Sequence, residues 1–291
     1  PFGMAAVAAS GAGLNGVSCL IGAAIGYIIS SGLAGSIRYL AAIVLVYTLN
    51  FAFQDTRLAK KSFFAPSVAA AAALSTGILS SFTSVFTQAP AAAVVLVETV
   101  FSFGGCWFFR EALSDAERTT EAEELRYAGS VLITAAVLLM AMSQIEIFGA
   151  ISIGRLMALL IVMTCTLRCG IMTGCTIGTA FGIAMDLTAG GMPFYTMAYA
   201  FAGLLSGMFN RHGRLLFLLA FIVANSAAAA CAWSFQTEVN SLFEVFAASV
   251  IFLLLPSGFL NRAGSMAQPV IGGSGESGLR RYVARRVMGL S

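Results

Sequence analysis

Apolar stretches follow one another along nearly the whole chain, at about 16–30, 37–53, 63–86, 91–109, 127–147, 152–167, 170–187, 193–209, 215–233 and 241–260. Crossing about 30 Å of hydrocarbon takes roughly 20 apolar residues as a helix. Backbone groups in lipid must bond internally, so only helices or closed barrels span it. Barrel strands alternate polar and apolar residues, and these runs do not. With 59% hydrophobic and 10% charged residues, a soluble globular domain is excluded. The expected fold is all-α: a polytopic transmembrane helical bundle of about ten spans over residues 1–260.

The basic residues orient it. Numbering the gaps alternately, one set holds Arg57, Lys60, Lys61, Arg110, Arg118, Arg126, Arg168, Arg211, Arg214, Arg262, Arg280, Arg281, Arg285 and Arg286. The other set holds none; only Arg38 and Arg155 lie near it, just inside helix ends. Lys and Arg are retained in the cytoplasm, so both termini are expected there. The outer turns, Ser31–Ser36, Thr87–Pro90, Phe148–Ile151, Thr188–Met192 and Ser234–Asn240, are too short for an external domain. Residues 1–13 are apolar and short, either the end of a longer segment or a re-entrant piece. The chain begins at Pro1 rather than Met, so residues upstream are expected. The cytoplasmic loop Arg110–Arg126 reads as a solvated connector with a short helix capped by Ser114.

Beyond the last span, residues 261–278 are rich in Gly and Ser and read as a flexible linker. Residues 279–291 (LRRYVARRVMGLS) place Leu279, Val283, Val287 and Leu290 on one helical face among arginines. This is expected to be the start of a cytoplasmic regulatory helix with more structure after it. An internal echo also stands out. Cys19, Gly22, Gly26 and Gly35 match Cys175, Gly178, Gly182 and Gly191 at one constant offset, the pattern expected of a parallel duplication of spans 1–4 in spans 7–10.

Few residues carry chemistry. Gly170, Gly174, Gly178 and Gly182 recur every four residues, and Asp186 continues the row. Such a face is expected to be a tight helix–helix seam, with Gly22 and Gly26, and Gly203 and Gly207, as weaker versions. The other meaning of the row is a solute path with Asp186 at its mouth. Glu98 sits roughly 10–12 Å inside its span by helix rise, where a charge is costly and normally paired. Arg38 and Arg155 lie within reach, and Glu146 and Arg155 flank one short turn. Pairing, ion or proton coupling, and a protonated Glu98 all remain open. Cys165, Cys169 and Cys175 with Met163 and Met172 lack a partner set from a second helix, so no metal site is expected. The six cysteines (Cys19, Cys106, Cys165, Cys169, Cys175, Cys231) lie in or beside spans, and no disulfide framework is expected. His212 reads as a turn residue. No phosphate-binding loop, HExxH or nucleophile elbow is present, so no catalytic, cofactor-binding or metal residue is assigned.

Several stretches in order resemble the N-terminal membrane region of the stage II sporulation protein E family. They are PFGMAAVAAS with GAAIGYIISSGLAGSIRYLAAIVLVY, then ISIGRLMALLIVM, GGMPFYTMAYAFAGLLSGMFNRHGRL and FEVFAASVIFLLLP. LRRYVARRVMGLS is similar to the start of the family's regulatory helix. The resemblance implies a membrane-anchored, metal-dependent serine/threonine phosphatase, using manganese or magnesium. It implies placement at the polar division septum with the tubulin-like division protein. The implied substrate is an anti-anti-sigma factor, whose dephosphorylation activates the forespore sigma factor. The implied catalytic domain lies beyond residue 291, so the present segment is expected to anchor, localise and self-associate. A ten-span small-solute transporter of the drug/metabolite exporter type is the alternative the residues leave open.

Overall fold

The computed structural model describes residues 1–59, 61–83, 92–114, 120–147, 151–190, 193–232, 237–256, 258 and 260. The linker and regulatory helix expected over 261–291, the turn Thr87–Pro90, Lys60 and residues 234–236 of the turn Ser234–Asn240 lie outside the described residues. Among those described, the chain is almost wholly helical. It divides into two compact units, Pro1–Ala116 and Glu117–Ser291.

The first unit holds α1 (Phe2–Ser10), α2 (Leu14–Phe53), α3 (Phe64–Thr83) and α4 (Ala92–Ala112). Helix α2 is not straight. Gly32 has φ 68° and ψ 170°, a conformation open to glycine because it has no Cβ. Residues 27 and 39 would stand about 18 Å apart along a straight helix. Instead the Tyr27 and Tyr39 rings stack with centroids 5.0 Å apart, and the Tyr47 hydroxyl donates to the Ala12 carbonyl at 3.4 Å. The chain therefore reverses at Gly32, and α2 is a helical hairpin. The expected outer turn Ser31–Ser36 shrinks to this one residue, and its flanks are helical.

Residues 1–13 contain a nine-residue helix, α1, about 13 Å long by its rise and too short to cross a bilayer. It is the plug of the unit. Met4, Ala5, Val7 and Ala8 are buried, and α1 packs on α2, α3 and α4. The Asn50 amide donates to the Ala8 carbonyl at 3.2 Å. A Cβ on Gly105 of α4 would lie 3.2 Å from Ala5 Cβ, so glycine there lets the plug sit close. In α3 the alanine run Ala69–Ala73 favours helix, and Pro66 falls in the first turn, where its missing N–H is harmless.

The second unit holds α5 (Glu121–Met142), β1 (Glu146–Ile147), β2 (Ile151–Ser152), α6 (Ile153–Cys169), α7 (Ile171–Ala189), α8 (Phe194–Met208), α9 (Arg214–Cys231) and α10 (Thr237–Leu254). Helix α5 starts on a capping box: Thr120 Oγ1 accepts from the Glu123 N–H, and the Glu123 carboxylate accepts from the Thr120 N–H. The signal Thr-x-x-Glu was present in the loop for which Ser114 was the expected cap; residues 115–119 between them are not described. A two-residue ladder flanks the turn expected at Phe148–Ile151, with Glu146 opposite Ser152 and Ile147 opposite Ile151; residues 148–150 are not described. The core gathers Leu159, Met163, Phe181, Phe217, Phe221 and Phe252.

After α5 and the β-hairpin, which have no counterpart among the described residues of the first unit, α6–α10 follow the same order as α1–α4. A helix ending on a positive-φ glycine (Gly11, Gly170) leads into a helical pair whose turn is also a positive-φ glycine (Gly32, Gly190), and two further helices follow. In each unit the leading helix, α1 or α6, packs on the following pair and on the last helix. The order runs the same way along the chain in both, as a parallel duplication requires.

Among the described residues, five helices are long and apolar enough to cross a membrane: Leu14–Phe53, Ala92–Ala112, Ala122–Met142, Ile171–Ala189 and Arg214–Cys231. Large apolar side chains such as Ile25, Ile29, Leu79, Val100, Leu187 and Leu254 face outward, as lipid contact allows. The chain is compatible with a multi-pass membrane protein.

Candidate functional site

The functional candidates fall into a glycine seam and two buried charge clusters. In the seam, α7 and α8 run together after the turn at Gly190. A Cβ on Gly178 would stand 2.5 Å from the Tyr199 carbonyl oxygen, and one on Gly203 would stand 2.5 Å from the Gly174 carbonyl oxygen. Gly182 lies against the Thr196 backbone, Gly174 against the Thr166 side chain, and Gly207 against Ile171. Backbone meets backbone, which only glycine permits, and dispersion replaces lipid contact.

Two expected members of such seams do other things. Gly170 has φ +93° and meets at most one atom, 4.0 Å away. It separates α6 from α7 because an L side chain resists that backbone, and it contributes no close approach. Gly22 and Gly26 meet nothing within 4 Å. They form no seam within the first unit, because the opposite limb of the α2 hairpin lies on another face.

Asp186 belongs to the seam's end. Its Oδ1 accepts from the Tyr195 N–H at 2.8 Å. Its Oδ2 accepts from the Thr196 N–H at 2.8 Å and from the Thr196 hydroxyl at 2.5 Å. The carboxylate thus covers the exposed donors and the positive dipole end of α8. Gly190, left-handed at φ 66°, turns the chain back so that these donors reach it. Asp186→Ala should lower the thermal unfolding midpoint, costing about 1–2 kcal/mol as lost caps do; a thermal melt in detergent measures it, and no change would show the cap to be idle.

The first charge cluster joins α2 to α4. Arg38 pairs with Glu98 Oε2 through Nη2, and the Tyr39 hydroxyl donates to Glu98 Oε1 at 2.8 Å. The Arg38 guanidinium carbon lies 5.3 Å from the Tyr39 ring centre. A Cβ on Gly77 of α3 would stand 3.1 Å from Arg38 Nη2, so the missing side chain leaves the guanidinium its space. Both oxygens of Glu98 are engaged, which is how a buried carboxylate is tolerated.

The second cluster joins α6, α8, α10 and the β-hairpin. Arg155 lies in the first turn of α6, where Ser152 accepts its N–H. Its Nε stands 3.4 Å from Glu244 Oε1 and its Nη2 3.9 Å from Glu146 Oε1. Nη1 donates to the Tyr195 hydroxyl at 2.5 Å. Glu244 Oε1 also accepts from the Ser152 N–H at 3.0 Å. Sequence reasoning offered Glu146 for Arg155 and missed Glu244. Glu146 is half exposed and Glu244 wholly buried, so the stronger partner is the one overlooked. A glutamate alone in the apolar run FEVFAASV was the available signal, the same one that singled out Glu98. Among the described residues, Glu244 Oε2 and the buried Tyr199 hydroxyl have no hydrogen-bond partner.

Comparison with protein-family models, curated proteins and solved structures gives no match.

Proposed function

We propose that the chain is a membrane anchor of about ten spans with both ends cytoplasmic. In this reading it places and self-assembles a cytoplasmic effector, a metal-dependent serine/threonine phosphatase of the stage II sporulation protein E type acting on an anti-anti-sigma factor at the polar septum. The manganese or magnesium of that chemistry belongs to the effector, and the tubulin-like division protein is the expected septal partner. The observation that carries the anchor reading is internal: Glu98, Arg38, Arg155, Glu244 and Asp186 all have partners within their own unit. Such pairs hold helices in fixed register and leave the charges committed.

A fluorescent protein joined after residue 291 tests placement in sporulating cells. Signal concentrated at the polar septum is expected; an even signal over the whole membrane would remove septal placement from the proposal. Self-association is assigned to the uncovered face bearing Gly22 and Gly26. Gly22→Leu should leave the monomer folded, since a Cβ there meets nothing within 4 Å, yet shift the detergent-solubilised species to smaller size. Unchanged size on a calibrated column would refute that assignment.

The transporter reading keeps one specific observation in its favour, the free Glu244 Oε2 beside a bound arginine. Proteoliposomes answer it: pH-driven solute uptake that Glu244→Gln abolishes would replace the anchor proposal.

A further inference from the structure

The turn between α2 and α3 carries charges that the fold does not use. Residues 53–59 and 61–64 wind through tight turns, with the Thr56 N–H bonded to Phe53, Ala59 to Thr56, Lys61 to Leu58 and Phe64 to Lys61. This winding brings Arg57 and Lys61 to the surface, both exposed. The end of α4 adds Arg110, whose Nη1 donates to the Ser62 carbonyl at 3.3 Å. Arg110 is thereby held beside Lys61. Asp55 and Glu111 are near in sequence. Among the described residues, no carboxylate lies within ion-pair distance of Arg57, Lys61 or Arg110.

Apolar groups flank these cations. Phe63 packs on Trp107 with centroids 4.9 Å apart, yet remains 61% exposed, and Leu58 is 53% exposed. Aromatic rings at the ends of apolar helices sit at headgroup level. Cations at that level draw anionic lipid.

We propose that Arg57, Lys61 and Arg110 bind the phosphate of an anionic phospholipid headgroup, with Leu58, Phe63 and Trp107 lying against its acyl chains. Arg57 and Lys61 in the turn and Arg110 held on the Ser62 carbonyl supply charge that matches a phosphodiester, and the exposed apolar rim matches what is attached to it. The site rests on placing this turn at the membrane–water boundary, as the anchor reading does, but it is independent of which effector the chain carries.

Native mass spectrometry of the whole chain in mixed micelles tests it, with phosphatidylglycerol and phosphatidylcholine as probes. Phosphatidylglycerol should be retained in preference, and rising salt should weaken retention. Each neutralised cation should cost about fivefold, and the triple variant Arg57→Gln, Lys61→Gln, Arg110→Gln roughly a hundredfold. Arg57→Lys should retain the preference, since charge is what the site supplies. If the triple variant does not fold, Lys61→Gln alone, at an exposed position, still shows the fivefold loss. Equal retention of the two lipids by the wild type, or no loss in any folded variant, would overturn the proposal. Displacement of phosphatidylglycerol by equimolar inorganic phosphate would also overturn it, since a free anion would then be the ligand.

Discussion

Gly178→Leu should prevent the second unit from reaching its folded state. The added side chain meets the Tyr199 backbone, with 2.5 Å from Cβ to the carbonyl oxygen, and backbone cannot rotate aside as a side chain can. Overpacking a core with flexible neighbours costs about 1–3 kcal/mol; a rigid one puts the cost at the top of that range or beyond. The α7–α8 pair would have to separate along Gly174, Gly182, Gly203 and Gly207 as well. Aggregation on detergent extraction, or loss of a cooperative melt, is the expected result. The comparison with Gly22→Leu is the control, because its Cβ meets nothing. If both variants melt alike, the glycine row in α7 is not a seam.

Glu244→Ala should be nearly as damaging, for an electrostatic reason. It leaves Arg155 with Glu146, at 3.9 Å, as its carboxylate partner and strips the Ser152 N–H of its acceptor. Removing one partner of a buried pair costs about 3–5 kcal/mol, because the remaining charge is uncompensated. The double variant Glu244→Leu with Arg155→Met should recover much of that loss, since neither charge then remains. A double-mutant cycle on thermal melts measures the coupling. Additive losses would mean that Arg155 and Glu244 do not act as a pair.

Much of the helix layout was legible in the sequence because its signal is local. The apolar runs at 63–86, 170–187 and 215–233 became α3, α7 and α9 with ends shifted by about a turn or less. The glycine row was legible because a four-residue period stays on one face of any helix. Which of its members touch a neighbour was not legible. Gly22 and Gly26 have the same spacing as Gly178 and Gly182, yet one pair faces open space and the other faces Tyr199 and Thr196. Asp186 read as the continuation of the glycine row; its three hydrogen bonds come from residues 195 and 196, brought near by a left-handed Gly190.

Partner choice shows the same division. An apolar run interrupted by a single acid marks that acid as a candidate for pairing, and for Glu98 the sequence offered both Arg38 and Arg155. Glu98 found Arg38, sixty residues away. Arg155 had Glu146 close in sequence but took Glu244 more closely, because α10 packs on α6 while Glu146 stays half exposed.

By itself, then, the sequence determined that this chain is a set of apolar helices compatible with a multi-pass membrane protein, with its basic residues giving the expected orientation. Hydrophobic run length and charge placement act residue by residue and need no neighbour. Only the tertiary structure decided that α2 folds back at Gly32, that α1 is a buried plug, and which glycines and charges meet. Those outcomes depend on the approach of segments far apart in the chain. A positive φ at one glycine sets that approach as strongly as the apolar stretches on either side.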